Sequence, residues 1–211
     1  MKLNRQFFGY FKEAKKLTET VFKYEIPFYT DIDLDKGLLK GYNDKTMRRL
    51  SDLKSFFHDA RAVGEILEKE EDPVIYEVYS YRPLQEEGGL SFGVTILRSG
   101  KIGDEYYMTK GHFHKKMETA EIYIGLKGKG YLLMQTKDGD ATIMRIGRGT
   151  VAFVPPYWAH RTINFGDEEF VFMYTFPSDA GYDYATIEKT GFSKIVVEKD
   201  GKPVIIDRSS M

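Results

Sequence analysis

The sequence predicts a mainly β domain, a sandwich or small barrel, with a helical extension at its N-terminus. Three observations lead there. From Pro73 onward, short runs rich in Val, Ile, Tyr and Phe alternate with Gly- or Asp-containing turns at the spacing of all-β folds. Before Pro73, apolar residues recur at helical spacing instead. Three of the four histidines fall in two hairpin-like contexts, which calls for a scaffold that brings strand ends together.

Composition narrows the class. The 211 residues suit one domain with an appendage, and are enough to bury a real core. A formal net charge of −1 leaves no bulk footprint for nucleic acid. The chain has no cysteine, so disulfides are excluded and an oxidising compartment has no support. No apolar run is long enough for a membrane helix. The N-terminus starts basic, but Lys12 and Glu13 interrupt any signal-like apolar stretch. A cytoplasmic protein is the expectation.

The elements follow in order. Phe7, Tyr10, Phe11, Ala14, Leu17 and Val21 share one face of a helix over 5–22, read as packing on the body of the protein. DIDLDKGLLKG reads as a hairpin turning near Asp35-Lys36-Gly37. Residues 44–69 read as two short helices: Met47, Leu50, Leu53 and Phe57 stripe the first, and Ala60, Val63, Ile66 and Leu67 the second. Asp59 is placed as the second helix's cap, and His58, at the join, as a surface or capping residue. Strands are expected over 74–81, 90–98, 120–126, 130–136, 141–146, 150–155, 160–165 and 169–176, with two more around Asp200-Gly201. This divides the chain into residues 1–70, helices and a hairpin packed on the barrel, and residues 71–211, the β-barrel itself.

One stretch, TKGHFHKKMETAE (109–121), carries chemistry. His112 and His114, two apart in an extended segment, point the same way. A turn at Lys115–Glu118 returns the chain so that Glu121 and Tyr123 face them. Two imidazoles and a carboxylate then converge, and His160 is the candidate fourth ligand. The other reading of such histidines is a satisfied core residue, but the matching contexts favour a metal. Three nitrogens and one oxygen without thiolate suit Fe, Mn, Ni or Zn. Around His160, Gly149 permits a tight turn, Pro155 and Pro156 end a strand, and Trp158 packs in the bend.

These residues carry a resemblance. Gly103, HxH, six residues, Glu121, six residues and Gly128 are similar to the first cupin motif. Gly149, Pro155, His160 and Asn164 are similar to the second, with Tyr157 where a glycine is usual. RRLSDLKSFF, DPVIYEVYS, GDEYYMTKGHFH, AEIYIGLKGKG, GTVAFVPPYWAHRTIN and DAGYDYATIEKTGFSKIV resemble the cupin-type, or archaeal-type, glucose-6-phosphate isomerases. The resemblance spans about residues 25 to 207, outside the first twenty-odd.

It implies a cupin double-stranded β-helix (jelly-roll) barrel that interconverts glucose 6-phosphate and fructose 6-phosphate. It implies one divalent metal per subunit, iron first, on His112, His114, Glu121 and His160. It implies Glu121 and His160 as catalytic, Thr95, Thr109, Gly111 and Tyr184 around the phosphate, Tyr123 near the sugar, and a homodimer. Hydroxyls and a backbone N–H can hold a phosphate without a Walker loop, and Lys110 can add charge. This chain has Phe176 where the family often has a tyrosine beside the phosphate, so one hydroxyl contact is lost. Strict alternation puts Thr109 and Gly111 opposite His112, which a bulge at Gly111 would resolve. The competing expectations are a metal cupin oxygenase acting on a small organic acid and a sugar-binding cupin without turnover.

Overall fold

The computed structural model describes residues 27–82 and 87–210. The helix expected over 5–22 lies outside the described residues. The chain opens with β1 (Ile32–Asp33) and β2 (Leu38–Leu39), the hairpin expected around Gly37. Then come β3 (Asp44–Arg49), a 3₁₀ turn (Leu50–Leu53), α1 (Ala60–Glu68), β4 (Val74–Tyr81) and β5 (Leu90–Leu97). A small hairpin, β6 (Lys101–Ile102) and β7 (Glu105–Tyr106), precedes β8 (Glu121–Lys127), β9 (Lys129–Gln135), β10 (Ala141–Gly147), β11 (Val151–Val154), β12 (Ala159–Ile163) and β13 (Phe170–Pro177). Helix α2 (Tyr184–Thr190) and the hairpin β14 (Lys194–Lys199) and β15 (Lys202–Asp207) follow.

Two antiparallel sheets make the barrel. The larger runs β11-β8-β13-β5-β4-β3 and the smaller β10-β9-β12. Strand neighbours that are far apart in sequence, such as β13 between β5 and β8, are what a jelly-roll requires. The two inner faces share one core, in which Leu132, Leu133, Phe170 and Leu97 are fully buried. Each such side chain stabilises the fold by roughly 1.5–3 kcal/mol. This is the mainly β cupin barrel the sequence predicts.

One local expectation fails. Residues 44–49 form a strand, not a helix: Lys45 pairs with Tyr79 and Met47 with Glu77 on β4. The backbone of DKTMRR satisfies its polar groups on the free edge of β4, and that tertiary pairing overrides a helix-like apolar spacing. Met47 is consequently exposed, while Leu50 and Leu53 enter the core from the 3₁₀ turn. The second helix forms as expected, with Asp59 Oδ1 accepting from the Ala62 N–H at 2.8 Å.

His58, read as a surface or capping residue, is partly buried and pairs with two carboxylates. Its Nδ1 lies 2.9 Å from Glu105 and its Nε2 3.1 Å from Asp104. Its hydrogen bond to the buried Glu105 holds the imidazole pKa above its ordinary value. The β6–β7 hairpin and α2 had no separate expectation, because their apolar residues are too few to show a period.

Tyr157, in the glycine position of the second motif, has φ 71, a left-handed conformation. Its N–H donates to the Met117 carbonyl at 2.8 Å, which holds the turn despite the side chain. The ring is 54% exposed, so little packing offsets the backbone cost. Tyr157→Gly is therefore expected to leave stability unchanged or raise it by up to about 1 kcal/mol. Chemical denaturation checks this; a clear loss would mean that the ring contributes packing beyond its exposure.

Candidate metal centre

The barrel brings four ligand residues to one point from three directions. Glu121 opens β8 in the larger sheet, and His160 lies in β12 of the smaller one. His112 and His114 come from an irregular segment whose backbone bridges to β12: the His112 N–H donates to the His160 carbonyl at 3.2 Å, and the reverse bond is 3.1 Å. Phe113 turns away into the core, so alternation holds between the two histidines. One donor atom from each of the four residues lies within 4.8 Å of all the others, and all four residues are buried.

The imidazoles are oriented as a metal ion would require. The Thr119 hydroxyl gives its proton to the Lys116 carbonyl at 2.7 Å, so its oxygen accepts from His114 Nδ1–H, also at 2.7 Å. That leaves the Nε2 lone pair of His114 facing Glu121 Oε2 at 3.1 Å. His160 Nδ1 donates to the Trp158 carbonyl at 3.3 Å, which likewise frees its Nε2. This Nε2 lies 2.9 Å from Glu121 Oε2 but does not point along a hydrogen bond, and His112 Nε2 also lacks a partner. Lone pairs converging on a carboxylate need a cation between them.

The residues fit a metal on this ground. With bonds of about 2.1 Å, one ion spans donors up to about 4.2 Å apart, so a small inward shift closes the cluster. Electrostatics agree. Burial, and then the neighbouring His160, hold the His112 imidazole well below its usual range, in the neutral form a ligand needs. Burial alone would raise Glu121, but His160 and His114 pull its pKa down to about 2.

A cleft of about 220 Å³ opens beside the cluster. Thr95, Thr109, Gly111, Tyr123 and Tyr184 all line it, together with His112, Glu121 and His160. His114 stands behind, its ring centroid 5.5 Å from that of Phe176, which forms part of the wall. The tension over Thr109 and Gly111 has a clear resolution. Gly111 has φ 71, so the chain kinks there and both residues reach the cavity with His112. A Cβ at Gly111 would meet the Phe192 ring at 2.7 Å and the Arg161 Cβ at 2.8 Å. Only glycine fits this close approach.

Several lining residues escaped the sequence reading, although Lys110 did not. Arg48 and Lys110 face the cleft from opposite segments, and burial and then Arg48 lower the Lys110 pKa. Tyr182 packs 4.8 Å from the His112 ring, and Arg82 lies 5.3 Å from the Tyr182 ring while paired with Asp44 at 3.1 Å. Thr119 was also missed, although it sits inside the ligand stretch. Arg48 and Arg82 could not be found, because the first was read on a helix and nothing in a lone arginine marks a cleft. Trp158 packs partly buried against the main core, as expected.

The model of the glucose-6-phosphate isomerase family matches residues 47–209. The chain is 50% identical over 184 residues to a glucose-6-phosphate isomerase of Pyrococcus furiosus, covering 87% of this chain and 96% of that one. It is 51% identical over 185 residues to that of Thermococcus kodakarensis, covering 88% and 96%. The corresponding protein of Sinorhizobium medicae is 38% identical over 176 residues, covering 83% and 82%. A solved oxalate decarboxylase mutant of Bacillus subtilis superposes on 51% of this chain and 27% of its own, at 25% identity and a TM-score of 0.41.

Because Thr119 fixes the His114 tautomer, Thr119→Val should weaken metal retention by about 10- to 100-fold while the fold persists. Competition against a chromogenic chelator measures this. Retention equal to the wild type would show that the hydroxyl does not orient the ligand.

Proposed function

The chain belongs to the glucose-6-phosphate isomerase family, and we propose from that membership and the geometry of the cleft how it works. It interconverts glucose 6-phosphate and fructose 6-phosphate. The oxygenase and the non-catalytic sugar-binding readings fall with this assignment. The observation that carries the mechanism is the cleft itself, where three of the four metal-type donors meet hydroxyls and cations in one cavity, with His114 just behind.

In our reading His112, His114, Glu121 and His160 hold one divalent ion. Iron(II) is the proposed native ion, with manganese, nickel or zinc able to replace it. When bound, the ion supplies a Lewis acid that polarises the carbonyl oxygen of the substrate. Thr95, Thr109, Tyr184 and the Gly111 backbone surround the phosphate, and Arg48 and Lys110 supply opposite charge at close range. Tyr123 is buried, its ring 5.8 Å from that of His160. Burial, and then Glu121, push its hydroxyl pKa well above the ordinary value, so it stays protonated and can donate to the sugar. The family resemblance alone supports a homodimer and a cytoplasmic location.

Glu121 is the one carboxylate among the described residues lining the cleft, and it is our proposed base. It takes the C2 proton of the open-chain aldose and returns it at C1, while the hydroxyl proton passes from O2 to O1 through a cis-enediol. His160, 2.9 Å from the same carboxylate, keeps it in place. A second reading has an observation behind it: Glu121 is itself one of the four donors, and its pKa is held down to about 2. A carboxylate so held is a weak base, which favours a direct hydride shift from C2 to C1.

Two experiments test this. Stripping the protein with chelator should abolish conversion of fructose 6-phosphate, and adding back single divalent ions should restore it. Metal binding without turnover in every reconstituted form would sink the proposed mechanism. Running the isomerisation in D2O then separates the two routes. Solvent deuterium in the product is expected for Glu121 as base, and complete retention of the substrate hydrogen would establish the hydride shift.

A further inference from the structure

Behind the cleft lies a buried charge that the mechanism does not use. Arg161 follows a metal-type ligand in β12, is 2% exposed, and has no carboxylate within ion-pair reach among the described residues. Its guanidinium lies 4.6 Å from the Phe192 ring. One terminal nitrogen donates to the Met108 sulfur at 2.9 Å, and Nε has no partner. The other terminal nitrogen donates to the Lys110 carbonyl at 2.6 Å, a short, charge-assisted bond. A buried and poorly paired guanidinium is costly to the fold, so its one strong contact points to a role.

That contact has a geometric consequence. The Lys110–Gly111 peptide is trans, so its C=O and N–H point in opposite directions. The carbonyl is held on the wall by Arg161, and Gly111 lines the cleft. The Gly111 N–H is thereby turned away from the wall, and it meets no acceptor among the described residues. The guanidinium also polarises the peptide and so makes this N–H a stronger donor.

We propose that Arg161 is a positioning residue for the substrate phosphate. It clamps the Lys110 carbonyl so that the Gly111 N–H is aimed at the phosphate, and it adds a fixed positive charge behind that donor. The proposal rests on the reading that the phosphate sits against Thr109 and Gly111. It also accounts for Gly111 twice: the kink turns the peptide, and a missing Cβ lets Arg161 and Phe192 close against it.

The test compares metal-loaded wild type with Arg161→Met, Arg161→Lys and Thr109→Val. Inorganic phosphate serves as competitive inhibitor against fructose 6-phosphate. Arg161→Met should raise both the phosphate Ki and the KM about tenfold or more, with kcat within about threefold and metal content unchanged. Arg161→Lys, which keeps the charge but not the fork, should fall between it and the wild type. If Thr109→Val weakens phosphate and Arg161→Met does not, the role of Arg161 is refuted while the phosphate site stands. If neither variant changes the Ki, the phosphate lies elsewhere and both ideas fall. A loss of kcat and bound metal with unchanged Ki would make Arg161 merely structural and refute the proposal. Should Arg161→Met fail to fold, the Gly111 amide decides. In zinc-loaded, 15N-labelled protein its proton signal should move downfield on phosphate titration, and less so in Arg161→Lys. A signal that ignores phosphate, or moves equally in both, would overturn the proposal.

Discussion

Everything in this molecule turns on one buried carboxylate. Glu121 is 3% exposed and is surrounded by three imidazoles, two from the segment before β8 and one from β12. A charge so far from water must be compensated where it sits. The groups around it come from both sheets at once, since Glu121 belongs to β8 and His160 to β12. The cluster therefore links the two sheets as well as gathering donors that could hold a metal. It ties the mouth of the barrel together where the two sheets would otherwise meet through loops.

Orientation of the ligands is a matter of small neighbours. A threonine hydroxyl settles the proton of His114, and a backbone carbonyl settles that of His160. Both leave Nε2 free toward the carboxylate. The same economy operates along the cleft. The 108–114 segment cannot be a regular strand, because it must deliver Thr109, Gly111 and His112 to one side and Phe113 to the other. The positive φ of Gly111 makes that possible, and the barrel wall presses closely enough to exclude any side chain there.

The cleft carries groups of both kinds: Glu121 with imidazoles, and Arg48 and Lys110, which have no carboxylate partner within ion-pair reach among the described residues. A sugar phosphate also carries groups of two kinds, its anionic group remote from the carbonyl that reacts. Burial first, and the like charge of Arg48 second, lower the pKa of Lys110, so the two cations are ill at ease in the free protein.

The strands of the barrel, the four donor residues and the family were legible in the sequence. Alternating β-branched and aromatic runs, the HxH spacing and the two glycine-bounded motifs are local patterns, and local patterns survive in one dimension. The β4 strand and the hairpin around Asp200-Gly201 lie where the pattern placed them. Residues 44–49 were not legible, because the edge of β4 that captures them is formed from chain thirty residues away. Nor were Arg48, Arg82, Thr119 or Arg161 recognisable as part of the site, since a lone polar residue has no period. Residue type and spacing by themselves determined which groups could bind a metal. Only the tertiary structure decided which lone pairs face inward, which peptide turns its N–H to the cleft, and which charges are left unpaired, because each depends on contacts between segments that the chain brings together only on folding.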